Sequence, residues 1–239
     1  MNIIITGGTS GLGKATVELL ASKLDNTVYF TYRSKKEIAD KLEKTYPNVR
    51  SIHCDFCEEE SLNSFVEAIH GFDPDVLINN AYTGTTLGNY FYRTKIEEFE
   101  YSFKSNVIPL IKISQEVIKE FRKKKSGKLI TVLSSALVGA PPSGFSVYSS
   151  TKAYIKQLAI SWSKEYISLG ITSNTVSPDF MLTDLTKNLG DFVIKQQEES
   201  NVLKRLLEPS EVARVIYDLV YAPQYVNGVD IPINLGVNL

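Results

Sequence analysis

Residues 2–21 read NIIITGGTSGLGKATVELLA, and the way this stretch is read decides the fold. Ile3-Ile4-Ile5 is a β-branched run of strand length. It runs into Thr6-Gly7-Gly8-Thr9-Ser10-Gly11-Leu12-Gly13, and helical spacing begins at once behind it. The spacing differs from the GxGxxG fingerprint, but the physics is the same: without side chains in the way, backbone N–H groups and a helix N-terminus approach a pyrophosphate closely. Tight turns also need glycine. The position between a first strand and a first helix favours the nucleotide reading, with Gly7, Thr9, Ser10, Gly11, Leu12 and Gly13 as cofactor-binding residues.

Outward from this turn, short β-rich runs alternate with longer helical patterns over the 239 residues. Strands are expected at 2–6, 27–32, 49–54, 76–79, 128–133, 171–176 and 229–233, and helices at 12–24, 34–46, 59–70, 96–123, 148–168 and 210–220. Alternation of this kind predicts repeated βαβ units, an α/β protein with a doubly wound parallel sheet. The pattern never resets, so residues 1–239 are expected to form one domain. Residues 180–208 fit neither pattern, and long irregular segments in compact domains are often lids; this one is the candidate substrate lid.

Twenty-six Lys plus Arg stand against 27 Asp plus Glu, so no overall field favours nucleic acid or an anionic membrane as a partner. The basic run Arg122-Lys123-Lys124-Lys125 suits the negative end of a helix dipole, with Ser126-Gly127 as the stop. Ile3–Ile5 is too short for a signal-peptide core, no run approaches the roughly 20 apolar residues of a membrane span, and two cysteines do not make a disulfide framework. A cytoplasmic protein is the expectation. Cys54-Asp55-Phe56-Cys57 with His53 and His70 suggests a zinc site on paper, but strand alternation sends His53 and Cys54 to opposite faces, and no metal is expected. A serine hydrolase would need a histidine near Ser135, and both histidines lie far off in sequence.

The second strand ends Tyr32-Arg33-Ser34. In a dinucleotide fold this end faces the adenosine ribose, where an acidic residue would repel a 2′-phosphate and an arginine fork would hold it. Arg33 and Ser34 therefore point to NADP(H) over NAD(H), with NAD(H) as the lesser option. Further on, Tyr148 and Lys152 stand four apart, on one face of a helix. A lysine ammonium beside a phenol favours phenolate and brings the tyrosine towards the range of a general acid or base.

The glycine turn, Asn79-Asn80-Ala81, Asn106, Ser135 and the Tyr148-to-Lys152 spacing, in this order over nearly the whole chain, resemble the short-chain dehydrogenase/reductase family, and within it the 3-oxoacyl carrier-protein reductases. The resemblance implies a Rossmann-type domain with a seven-stranded parallel sheet and helices on both faces, and hydride transfer between NAD(P) and a small-molecule carbonyl or alcohol. It implies Tyr148 as proton donor in reduction, Lys152 as the residue that lowers its pKa and binds the nicotinamide ribose, Ser135 on the substrate oxygen, and Asn106 supporting a proton-relay water. It further implies cofactor contacts from Asp55 and Phe56 at adenine, from Asn80 and Ala81 at the ribose, and from Pro178 and Thr183 near the nicotinamide. Pro209-Ser210-Glu211-Val212-Ala213 resembles the start of the family's last helix.

Departures from the family pattern concern the substrate pocket. Tyr82 replaces the glycine of Asn-Asn-Ala-Gly, Asp179 the glycine after Pro178, and Asn234-Leu235-Gly236 the frequent Asp-Gly-Gly; Leu169 stands where carrier-docking relatives often have a basic residue. Tyr82, Ala136, Leu137, Pro141, Pro142, Phe145, Phe180 and Met181 are expected around the pocket, an apolar wall that suits an acyl or cyclic ketone. The family implies a homodimer or homotetramer, for which Phe99, Phe103 and Trp162 are candidate contacts, unless they are core. A nucleotide-sensing protein of the same fold without catalysis is the alternative, and the presence of all four catalytic-type residues speaks against it.

Overall fold

A computed structural model of the chain describes residues 1–183, 186 and 191–236. Seven parallel strands form one sheet: β1 (Asn2–Ile5), β2 (Thr27–Tyr32), β3 (Val49–His53), β4 (Val76–Asn79), β5 (Gly127–Val132), β6 (Ile171–Pro178) and β7 (Asp230–Ile233), in the spatial order β3-β2-β1-β4-β5-β6-β7. The helices are α1 (Gly11–Ala21), α2 (Lys36–Thr45), α3 (Glu59–Phe72), α4 (Ile96–Ser102), α5 (Ile108–Lys124), α6 (Ser146–Tyr166), α7 (Asp191–Ser200) and α8 (Pro209–Tyr221).

Every residue of β4 and β6 is buried, as expected where helices cover both faces of a parallel sheet. Successive strand side chains face opposite ways, so the apolar runs divide between two cores. Ile3 and Ile5 of β1 and Val76 and Ile78 of β4 join Val17 and Leu20 of α1 and Val212 and Ile216 of α8. Ile4 and Leu77 face the other way, onto Phe65 of α3, Ile113 and Phe121 of α5, and Trp162 of α6. Ile3 pairs with Val76 and Ile5 with Ile78, which keeps each face in step across the two strands.

The chain leaves β1 for β2 on one side and, after β3, crosses to β4 on the other. A crevice opens above the carboxyl ends of β1 and β4, where the winding reverses.

The helix expected over 96–123 is divided. A π-helical turn, Phe103–Val107, separates α4 from α5. Pro109 lacks an N–H and would crowd the carbonyl of Ser105 in a regular helix, and the wider turn relieves that conflict. At the far end of α5 the helix is closed by Lys125 at φ 51°, with Ser126 N donating to Phe121 O at 3.2 Å, one residue before the expected stop.

Within the segment read as a lid, α7 was not anticipated. The ends of the segment are pinned together by a bridge between Met181 and Leu207, with Leu207 N donating to Phe180 O at 3.3 Å. Residues 184, 185 and 187–190 of the lid lie outside the described residues. Trp162 is buried in the core, whereas Phe103 is exposed and meets the Tyr154 ring edge-on, centroids 5.2 Å apart. Among the described residues no helix is long and apolar enough to cross a membrane.

Candidate active site

A cleft of about 890 Å³ runs over the carboxyl ends of the central strands. Its floor is the glycine turn. Gly7 adopts φ 75°, and a side chain there would press on Ala81; a side chain at Gly13 would strike the carbonyl oxygen of Gly7. Only glycine lets the strand fold back so tightly onto the start of α1. Asn80 fixes the turn from β4, its amide donating to Thr6 O at 2.9 Å and Gly7 O at 3.1 Å, while Gly7 N donates to Thr31 Oγ1 at 2.9 Å. The first-turn N–H groups of α1 have no acceptor within the helix, and Ser10 makes no side-chain cap bond.

Arg33, Ser34 and Lys35 line one end of the cleft, and the end of β2 carries no carboxylate. Phe56 lines it as well, but Asp55 does not. The Asp55 carboxylate accepts from Cys57 N at 2.9 Å and its backbone N–H donates to Ser61 Oγ at 3.0 Å, so it closes the turn into α3. Cys54 lines the cleft in its stead; burial, aided by the neighbouring Asp55, pushes its thiol up to about 12. Among the described residues no group of three or more His, Cys, Asp or Glu is arranged to hold a metal ion.

Tyr148 and Lys152 lie on the inward face of α6, together with Ser135 after β5. Lys152 donates to Val132 O at 2.8 Å and has its amine lowered to about 8 by burial. Tyr148 is pushed up to about 12, chiefly by burial, with a Ser134 hydrogen bond acting against the rise and Tyr82 adding to it. The helical spacing predicts a phenol lowered by the lysine. In the fold, desolvation raises the phenol instead, and Lys152 Nζ lies closer to the Tyr82 ring centroid, 5.2 Å, than to that of Tyr148, 6.0 Å. Tyr82 meets Tyr148 edge-on, centroids 5.1 Å apart, and so packs on the tyrosine and also lines the cleft.

Asn106 sits in the π turn, buried and outside the cleft lining. Its carboxamide grips the loop after β4 with both ends: Thr83 N donates to Oδ1 at 2.6 Å, and Nδ2 donates to Thr83 O at 2.9 Å. Ser135 Oγ donates to Asp179 Oδ1 at 2.8 Å, so in this structure its proton is held by the protein. Ala81, Pro178 and Thr183 line the cleft as expected, as do Ala136, Pro142, Phe145, Phe180 and Met181 of the pocket wall; Leu137 and Pro141 do not.

Sequence reasoning missed the loop Thr83–Leu87 and Lys35. Lys35 had a signal, since it lies two residues beyond Arg33. The loop had none, because its place depends on Asn106 and on Gly88 N donating to Gly144 O at 2.9 Å across the cleft mouth.

These residues fit a dinucleotide: a turn only glycine allows, open first-turn amides for a pyrophosphate, basic groups at the ribose end and a buried Tyr–Lys pair at the other. Comparison with known proteins agrees. The model of the short chain dehydrogenase family matches residues 1–193. The 3-oxoacyl-(acyl-carrier-protein) reductases of Vibrio harveyi and Aquifex aeolicus are each 30% identical, over 98% of this chain and 96% of theirs. Among solved structures, a short chain dehydrogenase from Burkholderia cenocepacia in complex with NADP superposes with a TM-score of 0.87 at 22% identity, over 100% of this chain and 98% of that one. A protein described as ElxO with NADP bound gives 0.87 at 25%, over 99% and 98%. With a family model covering most of its length, this chain belongs to the short chain dehydrogenases, which are NAD(P)-dependent oxidoreductases.

Proposed function

We propose that the protein reduces an acyl or cyclic ketone to a secondary alcohol with NADP(H). The observation that carries this is the buried Tyr148–Lys152 pair, which lines the same cleft as the glycine turn and Arg33. Arg33 and Lys35 at the ribose end favour a 2′-phosphate over a bare hydroxyl, and the solved relatives named as NADP complexes share this fold. When bound, the dinucleotide supplies a hydride to the carbonyl carbon.

The chain's own part is to bind, orient and move one proton. Gly7 to Gly13 and the start of α1 hold the pyrophosphate; Asn80 keeps that turn closed. Tyr148, protonated at neutral pH, gives its phenolic proton to the carbonyl oxygen as charge builds there. Lys152 holds the nicotinamide ribose and, as a cation beside the phenol, eases the loss of that proton. Asn106 keeps the loop after β4, and Tyr82 on it, against the Tyr148 ring. Pro142, Phe145, Phe180 and Met181 give the substrate an apolar wall.

A homodimer or homotetramer through the outer face of α6 and the π turn is part of this reading, supported by the exposed Phe103 and Tyr154 rings. A cytoplasmic setting is supported by the two free thiols, Cys54 and Cys57. The test is NADPH oxidation followed with a panel of acetoacetyl thioesters, cyclic ketones, keto sugars and keto acids. Turnover of at least one of these ketone classes is the expected result; NADPH binding with no turnover of any ketone points to a nucleotide sensor instead.

A further inference from the structure

Ser135 gives its only hydroxyl hydrogen to Asp179 Oδ1, 2.8 Å away, at a site where the serine is 8% exposed. A hydroxyl has one donor and two lone pairs, and a carboxylate only accepts. With that proton committed, both groups present acceptors to the cleft. A ketone oxygen is also an acceptor, and neither group has anything to offer it.

Asp179 is fixed in this position by the sheet. It follows β6 directly, and its backbone N–H donates to Ile233 O of β7 at 2.8 Å. Among the described residues, Ser135 is the one side chain bonded to its carboxylate, through Oδ1, and Oδ2 has neither a hydrogen bond nor an ion pair. Asp179 is also the one acidic side chain among the described residues that line the cleft. The basic ones are Arg33 and Lys35 beyond β2, and Lys152, which donates to Val132 O. Asp179 is half-buried, and its Oδ2 is not among the buried polar atoms that lack a partner, so it is open to the cleft, where a donor on a ligand takes the place of water.

We infer that Asp179 determines specificity, and that the ketone this protein takes carries a hydrogen-bond donor, a hydroxyl or a protonated amine, on the carbon beside the carbonyl. The inference rests on the ketone-reductase reading and narrows it. Once that donor occupies the Asp179 carboxylate, the Ser135 hydroxyl turns to the carbonyl oxygen and steadies the negative charge that grows there. No proton leaves Ser135 or Asp179; the one transferred comes from Tyr148. A plain ketone must pull Ser135 from Asp179 with no replacement, and a keto acid sets a second carboxylate against the first.

The test uses acetophenone, its α-hydroxy and α-amino derivatives, and benzoylformate with the full chain and NADPH. The α-hydroxy and α-amino ketones are expected to exceed acetophenone in kcat/KM by about tenfold or more, with benzoylformate lowest. Asp179→Asn keeps an acceptor for Ser135 but removes the charge; it should cut the α-amino preference by about tenfold and raise benzoylformate. Asp179→Gly should bring acetophenone and its two derivatives to a similar level. The same order is read without turnover, as dissociation constants from ligand-observed NMR on cofactor-free wild type and Asp179→Asn. Preference for only the α-hydroxy ketone assigns the donor to a hydroxyl, and preference for only the α-amino ketone to an ammonium. Acetophenone matching both derivatives, or ratios unchanged in Asp179→Asn, overturns the inference. Failure of the reductase reading looks different: no ketone consumes NADPH, while the binding order still follows Asp179.

Discussion

Lys152 aims its Nζ at the carbonyl oxygen of Val132, 2.8 Å away, from a side chain almost wholly removed from water. The amine is thereby lowered to about 8 from 10.5. A lysine whose folded pKa lies below its unfolded value makes the fold less stable while it must be charged. That cost is in full force below about pH 8 and fades as pH rises from about 8 to 10.5, where the unfolded chain binds the extra proton.

Lys152→Met in the cofactor-free protein should therefore be more stable than wild type at pH 7, by about 1–3 kcal/mol once the lost bond to Val132 is set against the relieved burial. The gap should close as pH approaches 10.5. Urea unfolding across pH measures it, and a gap that widens with pH contradicts the assignment.

Tyr148→Phe removes a transferable proton and little else. The ring still packs against Tyr82 and Phe145, so fold and NADPH affinity should hold within about threefold while kcat drops by about 10²–10⁴-fold. Steady-state kinetics beside an NADPH titration decides it; wild-type kcat in the variant would remove Tyr148 from the chemistry.

Arg33→Ala should weaken NADPH by about tenfold or more and leave NADH within about twofold, because only the former carries a phosphate for the guanidinium. Fluorescence titration with both nucleotides is the measurement. Equal losses would mean that Arg33 does not read the 2′ position.

Asn106→Ala leaves the Thr83 N–H and C=O without their partner and should cost about 2–4 kcal/mol. Asn106→Asp keeps the acceptor but sets a buried carboxylate oxygen against the Thr83 and Ser102 carbonyl oxygens, and should cost at least as much. Denaturant midpoints rank the two, and a neutral alanine variant would show that the π turn holds the loop without the carboxamide.

The fold was legible because each strand declares itself locally. Ile3–Ile5 followed by Gly7, Gly11 and Gly13 is a pattern few other structures tolerate, and the βα alternation then dictates a parallel sheet. Tyr148 and Lys152 were legible for the same reason, since four residues on a helix always share a face. The break in the 96–123 helix was not, because it depends on the conflict at Pro109 and on the reach of Asn106 to Thr83. Residues 191–200 show no clear apolar period, so α7 passed as irregular chain.

The sequence by itself determined the strand and helix order, the glycine turn and the pairing of a tyrosine with a lysine, all of which follow from spacings of a few residues along one element. Only the tertiary structure decided what those groups meet. Ser135 and Asp179 are 44 positions apart and touch because β5 and β6 are neighbours in the sheet. The Tyr148 phenol is raised and the Lys152 amine lowered because Tyr82 and the strand ends exclude water from them. Periodicity is a short-range property of the chain, whereas desolvation and hydrogen-bond partners are set by strands that come together only in the folded sheet.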